Sequence, residues 1–323
     1  MITTNPNSQV DSIQSSYMKI LVTGGAGFIG SNFVHYILQE YNDEVVTLDS
    51  LTYAGNKENL SSILDNPRHK FINGDIRNRN LVSDLMEQVD TVVNFAAESH
   101  VDRSIEGSKP FVSTNVQGVQ TLLDEAVDAG INLFIQVSTD EVYGEIIEGK
   151  FSEDDQLQPR NPYAATKAGA DLLANSYYTT HDLPVIITRS CNNYGPRQHQ
   201  EKFIPKFITK AASGEELPLY GDGSNIREWI YVQDNCQAID RVMREGSPGE
   251  TYNIGSGDER ANIDVARKIL QAVDGSEEQI KFVEDRPGHD QRYALETNKI
   301  HSLDWEPEWT FEKGLEYTID HHI

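Results

Sequence analysis

The chain has 323 residues, 38% hydrophobic and 24% charged, enough to build one large α/β domain with a smaller lobe. Lys and Arg number 27 against 51 Asp and Glu, a formal charge of −24, so the surface repels nucleic acid and anionic lipid. Its apolar runs all fall short of the ~20 residues that span a bilayer.

Met1 to Tyr17 are polar and lack the basic and apolar regions of a secretory signal. They are expected to form a disordered tail, with Met18 as an alternative start, and the chain reads as cytoplasmic. Lys19–Thr23 is a continuous apolar run ending at Gly24, as a strand buried on both faces requires. Similar runs follow at Val45–Leu48, Lys70–Ile72, Thr91–Phe95, Leu133–Val137 and Val185–Thr188. Helical patterns lie between them at Ile29–Tyr41, Leu81–Gln88, Val112–Ala129 and Tyr163–Thr180. This alternation predicts a doubly wound parallel sheet of Rossmann type over 18–190.

After Arg189 Gly and Pro become frequent, with helical patterns at Phe203–Ser213, Gln233–Arg244 and Ile263–Val273 and a short strand at Tyr252–Ile254. A smaller, interleaved C-terminal lobe is expected from 191–225 and 255–323, with 226–254 returning to the sheet domain. Acidic residues are spread through the ordered segments (Asp124, Glu125 and Asp128; Glu153, Asp154 and Asp155; Glu277 and Glu278) rather than gathered in a tail. That spread suits a halophilic protein, in which salt screens the repulsion of many hydrating carboxylates. Cys191 and Cys236 fit no metal or disulfide spacing, and no metal is expected.

Gly24-Gly25-Ala26-Gly27-Phe28-Ile29-Gly30 lies between the first strand and the first helix. Glycines there permit a tight turn and let backbone N–H groups, with Phe28 and Ile29 opening the helix, approach a pyrophosphate. Asp49 ends the second strand about twenty residues on. A carboxylate there binds both hydroxyls of an adenosine ribose and would repel a 2′-phosphate, so NAD is preferred over NADP. Asp75 and Ile76 follow the third strand, and Ala96 and Ala97 the fourth, on the ligand side of a parallel sheet.

Ser138-Thr139-Asp140-Glu141-Val142-Tyr143-Gly144 ends the fifth strand, and Asn161-Pro162 opens the helix carrying Tyr163 and Lys167. An i, i+4 pair shares one helix face, and the ammonium, with the positive nicotinamide nearby, is expected to lower the phenol pKa so that Tyr163 can accept a hydroxyl proton. Two neighbouring carboxylates add an acid and a base, because crowding in a dry pocket raises the pKa of one.

These segments resemble the extended short-chain dehydrogenase/reductases, and within them the dTDP-glucose 4,6-dehydratases. The likeness runs from Lys19 almost to the C-terminus. It rests on Thr23–Ser31, Leu51–Asn56, Ala96–Ser104, Ser138–Gly144, Asn161–Ala168, Asn192–Pro196, Tyr220–Gly223 and Arg286–Tyr293. The resemblance implies that Tyr163, supported by Lys167, takes the proton from the hydroxyl on sugar carbon 4, with Thr139 bonded to the same oxygen. It makes Asp140 the acid for the hydroxyl leaving carbon 6 and Glu141 the base at carbon 5. It makes Glu98 and Ser99 hydroxyl-binding residues, Asn192 and His289 substrate contacts, and Arg227 and Arg286 clamps on the nucleotide diphosphate. It further implies a homodimer through the helices Val112–Ala129 and Tyr163–Thr180. The segment Arg197–Lys202 departs from the family's usual aromatic stretch. UDP-glucose 4,6-dehydratases share Thr-Asp-Glu, whereas a 4-epimerase, a UDP-glucuronate decarboxylase or a non-catalytic NAD sensor has no use for the carboxylate pair.

Overall fold

The computed structural model describes residues 17–285 and 288–323. Seven strands form the large sheet: β1 (Lys19–Thr23), β2 (Glu44–Asp49), β3 (His69–Asn73), β4 (Thr91–Asn94), β5 (Leu133–Thr139), β6 (Val185–Ser190) and β10 (Thr251–Ile254). They run parallel in the spatial order β3-β2-β1-β4-β5-β6-β10. The order reverses between β1 and β4, which opens a crevice at their carboxyl ends. Short β-branched runs buried on both faces explain the strands; β4 and β6 are buried at every position.

The helices α1 (Phe28–Glu40), α2 (Arg79–Met86) and α3 (Val101–Glu106) follow β1, β3 and β4. The predicted helix Val112–Ala129 is composite: a short α4 (Lys109–Phe111), a π-helical stretch over Val112–Gly118, and α5 (Val119–Ala129). The wider π turn displaces side chains from the α-helical register, a feature common at functional sites. Next comes α6 (Pro162–His181), whose Pro162 occupies the first turn, where a missing N–H costs nothing.

The lobe contains β7 (Asn192–Tyr194), β8 (Leu217–Tyr220), β9 (Ile226–Tyr231), β11 (Glu259–Ala261) and β12 (Ile280–Val283). The helices after β6 are α7 (Phe203–Ala212), α8 (Val232–Glu245), α9 (Asn262–Ala272), α10 (Asn298–His301) and α11 (Phe311–His322). The segment 226–254 divides at Tyr231. The strand β9 pairs with β7 and β11 in a three-stranded sheet, a correction to its expected place in the large layer, whereas α8 packs on α1 and β10 edges the large sheet. Tyr194, Phe207, Trp229, Tyr231, Ile269 and Phe311 share the lobe's own apolar core.

Candidate active site

One cavity of about 890 Å³ runs from the crevice between β1 and β4 to the lobe. Its cofactor end is shaped by close backbone approach. Gly24 has φ +67°, and a Cβ there would lie 2.7 Å from Ala96 N, so only glycine lets β1 and β4 part at the crevice. A Cβ on Gly30 would meet Gly24 O at 2.4 Å, which explains the last glycine of the turn. The bare turn leads into α1, whose first residues Phe28 and Ile29 line the cavity with Gly27. Helix N-terminal N–H groups suit a pyrophosphate.

Asp49 lies beside this turn, accepting from Ala26 N at 3.0 Å and Leu51 N at 2.8 Å. Burial pushes its pKa up, while those N–H bonds oppose the shift. Its two oxygens retain acceptor capacity for ribose hydroxyls. Asp75 also lines the cavity, but Arg77 binds it through Nε at 2.9 Å and holds its pKa down. Ile76, Ala96 and Ala97 line the same stretch.

The reacting groups gather where β5 meets α6. Thr139 ends β5, and its Oγ1 accepts from Glu141 N at 3.3 Å, capping the single 3-10 turn Asp140–Tyr143. The cap sends the two neighbouring carboxylates into different surroundings. Asp140 is fully buried, with Oδ1 accepting from Thr139 Oγ1 at 3.1 Å and Oδ2 lacking a protein partner. Burial first, then Glu141, push its pKa well above the ordinary carboxylate value, which suits Asp140 to the role of acid. Glu141 instead accepts from Asn161 Nδ2 at 3.1 Å.

Asn161 also caps α6, accepting from Ala164 N at 2.8 Å, and so fixes the first turn that presents Tyr163. Lys167 Nζ donates to Val137 O at 2.6 Å. The expected lowering of the phenol pKa draws on the nicotinamide of a bound cofactor as well as on Lys167, while the protein's own surroundings act the other way. Burial raises it, as do Glu141 and Asp140; only the Thr139 hydroxyl is a notable opposing influence. Burial also lowers Lys167 to about 8, against the pull of Asp171.

Glu98 and Ser99 border this centre. The π stretch explains their placement: Asn115 Oδ1 accepts from Glu98 N at 2.8 Å, and its Nδ2 donates to Glu98 O at 3.0 Å. Burial raises the Glu98 pKa, opposed by Arg103 and Arg77. Towards the lobe, Asn192 presents a buried Oδ1 with no protein partner. Arg227 lies over the Tyr293 ring and donates to the carbonyls of Ile226 at 2.7 Å and Asp290 at 2.9 Å. It lines the cavity, where a guanidinium suits an anion. His289 pairs with Asp285 at 2.6 Å on the same wall, while Arg286 lies outside the described residues.

Sequence reasoning missed several lining residues. Lys206, Pro218, Tyr220 and Asn262 surround the lobe end, although Tyr220 lies within a motif already singled out. Arg103 binds both oxygens of Glu201 at 2.6 and 2.7 Å and stacks on Tyr53, with the His199 ring edge-on to Tyr53. The irregular segment after Pro196 thus closes on the cavity through polar contacts.

The family model described as GDP-mannose 4,6 dehydratase matches residues 21–318. The low-salt glycan biosynthesis protein Agl12 of Haloferax volcanii is 67% identical over 306 residues, covering 95% of this chain and 99% of that protein. A dTDP-glucose 4,6-dehydratase of an Actinoplanes species is 46% identical, covering 94% and 97%. The crystal structure of the dTDP-glucose 4,6-dehydratase DesIV from Streptomyces venezuelae, with NAD bound, matches with TM-score 0.93 and 50% identity, covering 94% and 97%. Together with a glycine turn shaped for a dinucleotide and an acid–base cluster beside it, these likenesses identify the chain as a member of the GDP-mannose 4,6 dehydratase family within the extended short-chain dehydrogenase/reductases, an NAD-dependent nucleotide-sugar dehydratase.

Proposed function

We propose that the protein converts dTDP-glucose to dTDP-4-keto-6-deoxyglucose. The observation that carries the reading is the unequal pair Asp140 and Glu141 beside Tyr163, in one cavity with the glycine turn and Arg227. Bound NAD supplies the hydride acceptor for carbon 4 and the donor for carbon 6. Tyr163 takes the carbon 4 hydroxyl proton while Thr139 holds that oxygen and Lys167 supplies positive charge. Glu141 removes the carbon 5 proton, acidified by the new ketone. Asp140 gives its proton to the carbon 6 hydroxyl, which leaves as water. Glu141 then returns a proton to carbon 5, and the proton on Tyr163 resets Asp140, so the protein ends as it began.

Glu98, Ser99 and Asn192 bind sugar hydroxyls, Arg227, Arg286 and His289 the diphosphate, and Asp49, Asp75, Ile76, Ala96 and Ala97 flank the adenosine half of NAD. The names of relatives at 46–50% identity support the thymidine nucleotide. Comparing turnover of dTDP-glucose, UDP-glucose and GDP-mannose tests it; preference for GDP-mannose would overturn the assignment.

The protein works in the cytoplasm as a homodimer through the face of α5 and α6, where Leu172 is an exposed apolar residue. It is adapted to high salt, a reading supported by the charge of −24 and by likeness to a Haloferax protein. No helix among the described residues is long and apolar enough to cross a membrane.

A further inference from the structure

One fully buried carboxylate of α6 has no part in the steps above. Asp171 lies one turn beyond Lys167, so positions 163, 167 and 171 make one stripe along the helix. Three successive residues of β5 face three acid–base groups. Val137 O accepts from Lys167 Nζ at 2.6 Å, Ser138 Oγ donates to Asp171 Oδ2 at 3.0 Å, and Thr139 Oγ1 donates to Asp140 Oδ1 at 3.1 Å. From β6, Arg189 Nε donates to the same Asp171 Oδ2 at 3.0 Å, and its Nη1 donates to the Tyr143 hydroxyl at 2.8 Å. Tyr143 in turn donates to Asn253 Oδ1 at 2.8 Å on β10.

A buried ion pair such as Asp171–Arg189 is weak support for a fold, since well-packed apolar residues of the same volume often serve as well. The arrangement also leaves Asp171 Oδ1 without a protein partner, which a purely structural bridge would avoid. Lys167, for its part, is an ammonium in a dry site whose described hydrogen bond goes to a neutral carbonyl. Burial works against its charge and Asp171 works for it, while burial also raises the pKa of Asp171 against the pull of Arg189 and Lys167.

We propose that Asp171 is a positioning residue for the Tyr163–Lys167 pair: one helical turn beyond Lys167 and fixed to β5 and β6 by Ser138 and Arg189, it holds the Lys167 end of α6 against β5 while the carbon 4 proton is transferred. The assignment rests on the dehydratase reading for its consequence in turnover, but not for its effect on Lys167.

Other ionisable groups around Lys167 are Tyr163 on its own helix, Asp140, Glu141 and Tyr143 in the turn after β5, and Arg189 on β6. Of these, Asp140 and Glu141 act on Tyr163, while Arg189 is engaged by Asp171 and Tyr143. On the packed helices, Arg103 of α3 pairs with Glu201, Asp102 meets the Tyr220 hydroxyl, and Lys109 of α4 is exposed. On α5, Asp124 accepts from Tyr177 and Glu125 forms an ion pair with Arg79. The π stretch carries no ionisable side chain.

The test follows the Lys167 side chain directly. With ε-13C-lysine in the NAD-loaded protein and Lys167→Arg to assign the signal, Asp171→Asn should lower the Lys167 titration midpoint by about one pH unit or more, as loss of a nearby opposite charge does. Asp171→Glu should restore most of it. In turnover, the alkaline limb of kcat should move to lower pH by the same amount, with KM little changed. If Asp171→Asn cannot fold with Arg189 uncompensated, Asp171→Asn combined with Arg189→Gln should still lower the midpoint, by a smaller amount, because losing the Arg189 charge works in the opposite sense. An unmoved Lys167 midpoint in the variant that folds overturns the proposal. If the unaltered protein turns over none of the nucleotide sugars, the dehydratase reading fails, and the titration still decides the role of Asp171.

Discussion

Asn161 joins the two reacting halves of the site: its Oδ1 accepts from Ala164 N at 2.8 Å, and its Nδ2 donates to Glu141 Oε2 at 3.1 Å. One side chain therefore sets both the helix end that presents Tyr163 and the carboxylate proposed to take the carbon 5 proton. Asn161→Ser keeps a capping oxygen and loses the amide. It is expected to retain thermal stability while slowing elimination more than oxidation. Asn161→Ala loses both contacts and should cost about 1 kcal/mol in addition, the usual worth of a cap. Thermal melts and single-turnover measurement of the two half-reactions distinguish the variants.

Asp140 links acidity to stability. Its pKa in the fold is raised, so the stability associated with its protonated form is fully present below the ordinary Asp range and is lost as pH rises through the folded value. Near neutral pH, Asp140→Asn should therefore melt no lower than the unaltered protein, and the gap should widen as pH increases. Dehydration should fall by roughly 10²-fold or more, as for loss of a general acid. A variant that melts lower across the whole range contradicts this account of Asp140.

Arg227 donates to backbone carbonyls and lies over the Tyr293 ring, on the wall of the cavity. Arg227→Ala should raise the KM for the nucleotide sugar, with a binding loss of about 1.5–3 kcal/mol, the range for a hydrogen bond to a charged group. Isothermal titration with dTDP alone checks that the loss lies at the nucleotide end.

The charge of −24 sets the response to salt. If repulsion among surface carboxylates limits stability, the melting temperature should rise steadily from dilute buffer to molar KCl. Equal stability in dilute buffer would contradict the high-salt reading and leave the chemistry untouched.

Legibility in the sequence followed the range of the interactions. The runs Lys19–Thr23 and Val185–Thr188 announce buried parallel strands because their apolar character is local, and the same holds for the glycine turn and for Tyr163 with Lys167 one turn on. The π stretch at Val112–Gly118 was hidden, since its cause is Asn115 reaching Glu98 and Thr166 across the tertiary structure. Likewise β9 has the pattern of any strand, and only its pairing with β7 and β11 assigns it to the lobe. Asn161 is readable as a cap, but its hold on Glu141 spans 20 residues. The raised phenol pKa of Tyr163 was also out of reach, because it depends on burial and on where two carboxylates come to lie.

The central claim is that oxidation at carbon 4 and loss of water are carried by different residues in one cavity. Single-turnover mixing of NAD-loaded Glu141→Gln with dTDP-glucose tests it most directly, following reduced cofactor and product structure together. The expected result is oxidation at carbon 4 without elimination: reduced cofactor held on the protein and a keto sugar that retains its carbon 6 hydroxyl, whereas Tyr163→Phe gives little of either. Normal formation of the 4-keto-6-deoxy sugar by Glu141→Gln would contradict it.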